Sequence, residues 1–384
     1  MRRAKHEIVF HANTKRRCGN MFLLILAVTF STLLYSIVVF EKKSKFQYTL
    51  NLSNKKAEKQ PDCYCKSKLN PDLVHNFCYI DPHDNSSIGE KFDCSSLSIL
   101  ENLGTFNFTQ QFVDTTKSFR DPQDVVFLSA CSDDHVMDAE QTFATVQQFY
   151  PNQKHILYDI GISEGNRKML LNKFKNVEIR QFKFSKYPQF VEQLLTYRWK
   201  PLIIAEVLRE YPNIWWMDAH IILIGGDFTN ITYEERSIEL VNSDIIFFKQ
   251  TGHSNFATLF PKVLEYIPSG SSSLLKSEEF GAQLGANIFY VSRTRQTLDL
   301  FKWWLLCALD ETCMNPPGAK VHCEFGPNRF DSFANCFRFD QSVINLLLLN
   351  QFQDYHKYTG SAGYQFERKS VSRFFDFNFF GYFF

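Results

Sequence analysis

The feature that most constrains this chain is an uninterrupted apolar run near its N-terminus. Residues 21–40 read MFLLILAVTFSTLLYSIVVF, twenty positions without a charged side chain. As a helix, this run matches the ~30 Å hydrocarbon thickness of a bilayer. A cleaved signal peptide has a shorter apolar region, of about 7 to 15 residues, with a small-residue cleavage site after it. Residues 40–43 (FEKK) offer no such site, so the run predicts an uncleaved transmembrane anchor.

The charges on either side of this run predict its orientation. Six basic residues precede it and three follow it, and the more basic flank of a span usually stays in the cytosol. We therefore expect residues 1–20 to be cytosolic and the remainder luminal, as in a single-pass type II protein of the Golgi or endoplasmic reticulum membrane. Asn-X-Ser/Thr glycosylation sites beyond the run agree with this orientation, and they lie at Asn51, Asn85, Asn107 and Asn230.

Nine of the ten cysteines also lie beyond the run, where an oxidising lumen favours disulfides. Eight of them predict two local disulfide sets, one of Cys63, Cys65, Cys78 and Cys94 and one of Cys307, Cys313, Cys323 and Cys336. The connectivity stays open. A zinc site at Cys63 and Cys65 is the alternative, but their C-x-C spacing differs from the C-x₂-C of zinc sites. Cys131 is left over, and we expect a buried small hydrophobe there.

The composition excludes two classes of protein. Charged residues at 22% and hydrophobic residues at 45% describe a folding chain, not a disordered or collagen-like one. The 42 Lys and Arg residues nearly balance the 41 Asp and Glu residues, so no overall positive field attracts phosphate backbones. We therefore expect no nucleic-acid partner.

Beyond the anchor, the character of the chain changes at about residue 121. Residues 41–120 are polar and cysteine-bearing, which predicts a luminal stem with a small disulfide knot. Residues 121–365 alternate short apolar strands with helical periodicity, and residues 366–384 form an aromatic tail too short for a second span. Strands are predicted at 125–129, 155–158, 177–182 and 213–217, and helices at 138–150, 166–174 and 201–211. This alternation predicts an α/β domain with a mostly parallel, Rossmann-like sheet and helices on both faces.

Polar residues follow three of the predicted strands. They are Asp133, Asp134 and His135 after the first strand, Asp159 after the second, and Asp218 and His220 after the fourth. Sheets of this kind bind ligands at the carboxyl ends of their strands. We therefore expect an anionic rim able to hold a divalent cation. A simpler interpretation is that Asp133 and Asp134 cap the next helix.

The segment Trp215–Leu223 carries the most specific pattern. Asp218 and His220 are two residues apart between apolar runs, so both side chains lie on one side of an extended segment and can bind one ion. A cation there would act as a Lewis acid on the diphosphate leaving group of a nucleotide sugar. Alternatively, Asp218 caps a turn and His220 packs within a strand.

This segment resembles the D-x-D segment of glycosyltransferases of the GT-A fold, which follows an apolar strand and binds a metal and the donor diphosphate. His220 departs from the motif at its third position and leaves one negative charge fewer. The resemblance continues at residues 197–202, 285–291 and 338–345. It implies Mn²⁺ bound by Asp218 and His220, phosphate contacts from Arg198 and Lys200, and catalytic or sugar contacts from Asp218, Asp340 and Gln341.

Blocks at 127–135, 157–163, 184–188 and 197–201 are similar to a group of single-pass nematode membrane proteins of GT-A-like fold. Together the resemblances cover about residues 121–355. In such folds the end of the first strand meets the base and ribose of the nucleotide. The resemblance therefore implies donor contacts from Ser129, Asp133, Asp134 and Asp159.

These patterns predict a luminal glycosyltransferase that transfers a hexose from a nucleotide-sugar donor to a glycan or glycoprotein acceptor. An inverting enzyme needs a carboxylate base, and Asp310, Glu311 and Asp340 are candidates that the sequence does not separate. One alternative is an S-adenosylmethionine methyltransferase, because residues 159–165 resemble its glycine-rich turn and Glu178 lies nineteen residues beyond Asp159. A second alternative is a membrane-anchored glycan-binding or scaffold protein that keeps the fold without catalysis.

Overall fold

The computed structural model describes residues 62–70, 72–106, 111–114, 125–225, 241–360 and 366–369. The predicted anchor at 21–40 and most of the predicted aromatic tail lie outside these ranges. No helix among the described residues is long and apolar enough to cross a membrane. Asn85 is the one predicted glycosylation site within the described ranges, and it is exposed.

The first described segment is a small β-structure followed by a short helix. Strands β1 to β4 span Tyr64–Lys66, Val74–Asn76, Cys78–Asp81 and Asp84–Lys91, and helix α1 spans Leu97–Asn102. β1 pairs with β2 and β3 with β4, both antiparallel. The first cysteine group forms the disulfides Cys63–Cys78 and Cys65–Cys94, and the second forms Cys307–Cys313 and Cys323–Cys336. The two predicted local sets are confirmed, no thiolate remains for the alternative zinc site, and Cys131 is a buried free thiol.

This segment, which belongs to the predicted stem, packs directly against the α/β part of the chain. The amide of Gly270 donates a hydrogen bond to Asp81 Oδ2 at 2.8 Å, and Asn350 Nδ2 donates to the Tyr79 hydroxyl at 3.2 Å. A Cβ atom at Gly89 would lie 2.0 Å from the carbonyl oxygen of Tyr266. The described part of the predicted stem therefore shares its core with the α/β part.

Between Val125 and Met217, strands and helices alternate as predicted. Strands β5 to β14 span Val125–Cys131, His155–Asp159, Val177–Gln181, Asn213–Met217, Ile221–Leu223, Ile245–Phe247, Gln250–Ser254, Ala282–Leu284, Ile288–Ser292 and Phe366–Arg368. Helices α2 to α8 span Val136–Phe149, Glu164–Lys173, Trp199–Leu208, Val263–Tyr266, Ser272–Lys276, Arg295–Ala308 and Asp340–Phe352. The predicted strands and helices between residues 125 and 217 are present, with their ends shifted by at most three residues.

Six of these strands form the central sheet, in the order β10, β13, β8, β5, β6, β7. β8, β5, β6 and β7 are parallel, whereas β13 is antiparallel to β8 and to β10. The predicted mostly parallel sheet is confirmed. After β7 the chain returns to the other side of β5 to enter β8, so the strand order reverses between β5 and β8. Open α/β sheets bind ligands at such a switch point, outside the carboxyl ends of the strands.

Helices cover both faces of the sheet, as predicted. Successive side chains of a strand point to opposite faces, and β5 is buried along its whole length. On one face Leu128 shares a core cluster with Leu202 of α4 and Leu346 of α8. On the other face Phe127 shares a cluster with Val146 of α2. Two-sided burial explains why this strand is a continuous apolar run without alternation.

Candidate active site

Three elements bring charged side chains together at the carboxyl end of β8. Asp218 follows β8, Lys200 lies in the first turn of α4, and Asp340 begins α8. The Lys200 ammonium lies 3.1 Å from Asp218 Oδ1 and 2.9 Å from Asp340 Oδ2. It also donates a hydrogen bond to the carbonyl oxygen of Ala286 at 3.1 Å. We call Lys200, Asp218 and Asp340 the Lys200 cluster.

Burial makes the charges of this cluster strongly interdependent. The side chains of Lys200 and Asp340 are only 4% and 5% exposed. Burial alone would lower the pKa of Lys200, but the neighbouring Asp218 and Asp340 carboxylates outweigh it and raise that pKa. The ammonium therefore stays charged at neutral pH and joins the two carboxylates.

Asp218 keeps one carboxylate oxygen available. Its Oδ1 atom accepts a hydrogen bond from the indole of Trp216 at 2.8 Å as well as the contact with Lys200. Its other oxygen has no hydrogen-bond partner among the described residues, and its side chain is 22% exposed. Asp218 N donates to the carbonyl oxygen of Asn287 at 2.8 Å. This bond holds the turn after β8 against the residue that precedes β13. The arrangement presents an oriented carboxylate oxygen at the switch point.

Strained backbone lies next to both partners of Asp218. Tyr197, whose carbonyl accepts the amide of Lys200, has φ of 54°, and Phe339, directly before Asp340, has φ of 43°. Such conformations cost about 1–3 kcal/mol each in non-glycine residues and concentrate at functional sites. The surrounding fold therefore imposes the approach of α4 and α8 to Asp218.

His220 lies in the same turn as Asp218. Its carbonyl oxygen accepts a hydrogen bond from Lys369 N at 2.9 Å. Burial lowers the pKa of its imidazole to about 4, against an opposing effect of the Asp218 carboxylate. The neutral imidazole is the form that binds metals. No group of three His, Cys, Asp or Glu side chains suited to a metal occurs within the described ranges.

The predicted phosphate contacts of Arg198 and Lys200 are not supported by their surroundings. Arg198 is fully buried, and its guanidinium donates to the carbonyl oxygens of Ala308 and Glu311, each at 2.8 Å. It therefore anchors the chain at the end of α7. The Lys200 ammonium donates to the carbonyl oxygen of Ala286 and lies 3.1 and 2.9 Å from the carboxylates of Asp218 and Asp340, so its charge is already met within the protein. The sequence shows that Arg198 and Lys200 are basic. It does not show that their hydrogen-bond and ion-pair partners belong to the protein itself.

Two of the predicted donor contacts are also engaged inside the fold. Ser129 is buried, and its hydroxyl lies 2.8 Å from His155 Nε2. Asp159 Oδ1 accepts hydrogen bonds from the amides of Gly161 and Ile162 at 2.8 and 2.6 Å. Asp159 therefore closes the turn after β6 and is not directed at a ligand.

Asp133 and Asp134 lie at the carboxyl end of β5, on the predicted edge of the sheet. Asp133 Oδ1 accepts hydrogen bonds from Ser163 N and Asn166 Nδ2, both at 2.8 Å, and these bonds lower the pKa of its carboxyl. Asp133 thus links β5 to the start of α3, a different helix from the one it was expected to cap. Asp134 is 72% exposed, accepts the hydroxyl of Ser132 and remains open to solvent.

Of the two predicted sugar contacts, Gln341 is engaged inside the fold, whereas Asp340 joins the Lys200 cluster. Gln341 Nε2 donates to Gln283 Oε1 at 2.7 Å, and Gln341 Oε1 accepts from Ala286 N at 3.1 Å. Its amide therefore holds α8 against the segment between β12 and β13. Among the three candidate bases, the structure brings Asp340 to Asp218, whereas Asp310 Oδ1 caps the amide of Thr312 at 2.9 Å and Glu311 lies beside it.

The contacts of Glu178 do not support the methyltransferase alternative. Its carboxylate pairs with Lys154 at 2.5 Å and with Arg180 at 2.6 Å. The carboxylate of Asp159, at the other end of the proposed glycine-rich turn, closes its own loop. Neither acid is free to bind the ribose of a cofactor.

The sequence missed three residues near the Lys200 cluster. The ring centre of Tyr197 lies 5.6 Å from Lys200 Nζ, and burial with the carboxylates of Asp340 and Asp218 raises the pKa of its hydroxyl. Asn287 bonds the turn of Asp218 through its carbonyl and keeps a buried side-chain oxygen without a described partner. Arg338 precedes the strained Phe339. The blocks that resemble GT-A enzymes include all three, but only the fold shows that they meet.

A family profile described as Protein of unknown function (DUF1647) matches residues 63–205, which is less than half of the chain. No curated protein matches the chain. The solved structure of core-mannan synthase A (CmsA/Ktr4) from Aspergillus fumigatus, in its Mn/GDP form, is 13% identical over 65% of this chain and 77% of its own, with a TM-score of 0.37.

Two further solved structures are similar at the same low level. The mannosyltransferase Ktr4p from S. cerevisiae is 11% identical over 56% of this chain and 71% of its own, with a TM-score of 0.34. The galactosyltransferase LgtC is 12% identical over 44% of this chain, with a TM-score of 0.29. This chain spans 58% of LgtC, less than two thirds of its length.

Proposed function

We propose that this protein is a GT-A-type glycosyltransferase that transfers a hexose from a nucleotide-sugar donor to a glycan or glycoprotein acceptor. We propose further that it is a type II protein of the Golgi or endoplasmic reticulum membrane with its catalytic part in the lumen. The anchor, its orientation and the glycosylation sites of the sequence support this location. The disulfides agree with an oxidising compartment.

The Lys200 cluster at the switch point is the observation that carries this proposal. Two carboxylates and an ammonium meet at the carboxyl end of β8, where open α/β sheets bind ligands, and His220 lies in the same turn as Asp218. A purely structural cluster would be completed by its own contacts. Here Asp218 keeps an oxygen without a described partner, and strained residues hold both neighbouring helices in place. This favours an enzyme over a scaffold that merely keeps the fold.

The chemistry assigns a role to each group. Asp218 and the neutral imidazole of His220 suit Mn²⁺ as ligands, and a bound ion would act as a Lewis acid on the departing diphosphate. Trp216 and Lys200 orient Asp218. Lys200 also fixes Asp340, which we propose contacts the transferred sugar. Asp134, which is exposed at the end of β5, would accept hydroxyls of the nucleotide ribose.

Donor hydrolysis tests this proposal. The full-length chain is incubated with a panel of sugar nucleotides, with and without Mn²⁺, and free nucleotide is measured. We expect hydrolysis of at least one donor and a loss of about a hundredfold or more in Asp218→Ala, because an oriented electrostatic group is removed at the leaving group. Glu311→Ala, an exposed acid outside the Lys200 cluster, should retain activity. Absence of hydrolysis and of donor binding throughout the panel would refute the proposal.

The anchored glycan-binding protein remains the second candidate, because His220 leaves the site with less negative charge than D-x-D. The same panel separates the two candidates. Donor binding without turnover, unchanged by Asp218→Ala, would support a glycan-binding protein.

A further inference from the structure

Helix α2 contacts the turn that follows β8. The side chain of Thr142 is fully buried, and its hydroxyl donates a hydrogen bond to the carbonyl oxygen of Ala219 at 2.6 Å. Thr145, about one turn further along α2, accepts a hydrogen bond from Leu223 N at 3.1 Å. We call Thr142 and Thr145 the threonine pair. The pair bonds the chain at two points, one within the turn and one at the end of β9.

The hydroxyl of Thr142 bonds outside its own helix. A threonine within a helix usually bonds back to the carbonyl four residues earlier, and for Thr142 this is the carbonyl oxygen of Asp138, at 3.3 Å. A hydroxyl has one hydrogen to donate, and its shorter contact is the one with Ala219. Threonine also favours helices less than alanine or leucine does. The contact with the turn, not the helix, therefore explains a threonine at this position.

The carbonyl that Thr142 contacts lies at the centre of the turn. Ile221 N donates to the carbonyl oxygen of Asp218 at 3.0 Å, which closes the turn. The carbonyl of Ala219 belongs to the central peptide, which joins Ala219 to His220. The common turn types differ by rotation of this central peptide. The bond from Thr142 therefore selects one orientation of the peptide and, with it, the direction of the His220 side chain.

Further hydrogen bonds to this segment come from backbone. Asp218 N donates to the carbonyl oxygen of Asn287 at 2.8 Å, and Lys369 N donates to the carbonyl oxygen of His220 at 2.9 Å. Strand β14 also pairs with β9. Most side-chain substitutions leave such bonds in place, whereas the bonds from the threonine pair depend on two hydroxyls. The contribution of the threonine pair can therefore be removed without changing the rest of this support.

We infer that Thr142 is a positioning residue for the metal site of the proposed function. Asp218 and His220 can bind one Mn²⁺ only if their side chains point to the same place, and Thr142 fixes the peptide on which the direction of His220 depends. Without the hydroxyl, the carbonyl of the buried Ala219 loses its donor, which is costly. Rotation of the central peptide then exposes this carbonyl to water and turns the imidazole away from Asp218. The inference rests on the proposed function for the metal ion.

Three measurements on the full-length chain test this inference. They are amide hydrogen exchange of the metal-free protein over residues 219–223, Kd for Mn²⁺ by calorimetry, and kcat and KM for donor hydrolysis. Thr142→Val removes the hydroxyl and keeps nearly the same shape, and Thr142→Ser keeps the hydroxyl. Thr297→Val is the matched control, because Thr297 is equally buried and contacts Thr294 at the start of α7. That end of α7 follows β13 at the opposite edge of the sheet, beside the start of β8.

We expect Thr142→Val to exchange the amides of residues 219–223 faster than the wild type and Thr297→Val do. We also expect Kd for Mn²⁺ to rise about tenfold or more, because loss of an outer contact of a metal ligand typically lowers metal affinity or activity by about 10–100-fold. kcat should fall by a similar factor with little change in KM for the donor. Thr142→Ser should behave like the wild type in all three measurements, because its hydroxyl remains.

The inference is overturned if Thr142→Val binds Mn²⁺ as tightly as the wild type, or weakens binding without faster exchange over residues 219–223. It is also overturned if Thr297→Val weakens binding equally, or if Thr142→Ser weakens it as Thr142→Val does. Its failure differs from failure of the proposed function. Asp218-dependent donor hydrolysis that Thr142→Val leaves unchanged would remove the role of Thr142 and keep the enzyme. A wild type that binds neither Mn²⁺ nor any donor would overturn both.

Discussion

At the scale of single residues, the site depends on a lysine whose partners are not close to it in sequence. The predicted residues Asp218, Asp340 and Lys200 all reach one place. The sequence indicated Asp218 because it directly follows an apolar strand, where sheets of this kind bind ligands. The contacts of the three residues could not be read from it, since Lys200 and Asp340 are separated by most of the domain. Burial explains why Lys200 contacts carboxylates of the protein, because a buried ammonium without a partner is costly in free energy.

Lys200→Met should destabilise the protein strongly. It leaves the buried Asp340 carboxylate without its ion-pair partner, and breaking a buried pair in this way costs about 3–5 kcal/mol. The double variant Lys200→Met, Asp340→Leu should recover most of the loss, because both charges are then absent. The free energy of unfolding is measured by urea titration of the full-length chain.

Lys302→Met is the matched control for this prediction. Lys302 is a half-buried lysine 4.1 Å from the ring centre of Trp303, without a carboxylate within 4 Å among the described residues, and burial lowers its pKa to about 8. Its replacement should be neutral or stabilising. If Lys200→Met destabilises no more than Lys302→Met, the ion pair of the Lys200 cluster is not formed in solution.

At the scale of elements, the apolar period of the sequence was enough to place the strands and helices between residues 125 and 217, because that period is local. The run of β5, buried on both faces, and the helix of α2 were read directly from it. The close approach of β4 to α5 could not be read from the sequence. It depends on Gly89, and nothing in the residues around Gly89 indicates that another backbone passes close to it. Arg198 illustrates the same limit, because its carbonyl acceptors, on Ala308, Asp310 and Glu311, lie at and just beyond the end of α7.

Gly89→Ala tests the packing of β4 on α5. The added Cβ would overlap the carbonyl oxygen of Tyr266 at 2.0 Å, so backbone must move. We expect a loss of about 1–3 kcal/mol in the free energy of unfolding. Gly165→Ala is the control, since no atom lies within 4 Å of a Cβ there and alanine favours its helix. Equal stabilities of the two variants would show that the cysteine-rich segment does not pack on α5.

At the scale of the whole molecule, the sequence predicted an anchored luminal protein with a separate stem and an α/β domain. The α/β sheet and the two disulfide sets are confirmed. The described part of the predicted stem instead packs on the domain, because buried residues such as Phe77 and Phe92 need apolar partners that a short segment cannot supply alone. The switch point between β5 and β8 could not be predicted from the sequence. It follows from the order of the strands in the sheet, which is set by pairing between segments that are distant in the chain.

Photoaffinity labelling of the full-length chain with azido analogues of UDP-sugars and GDP-sugars tests the central claim most directly. The claim is that a sugar nucleotide binds at the carboxyl ends of β5 and β8, beside the Lys200 cluster. We predict labelled peptides from residues 131–135, 215–223 or 338–345, with labelling prevented by the unmodified sugar nucleotide and lost in Asp218→Ala. Labelling confined to other peptides, or not prevented by the unmodified donor, would contradict it.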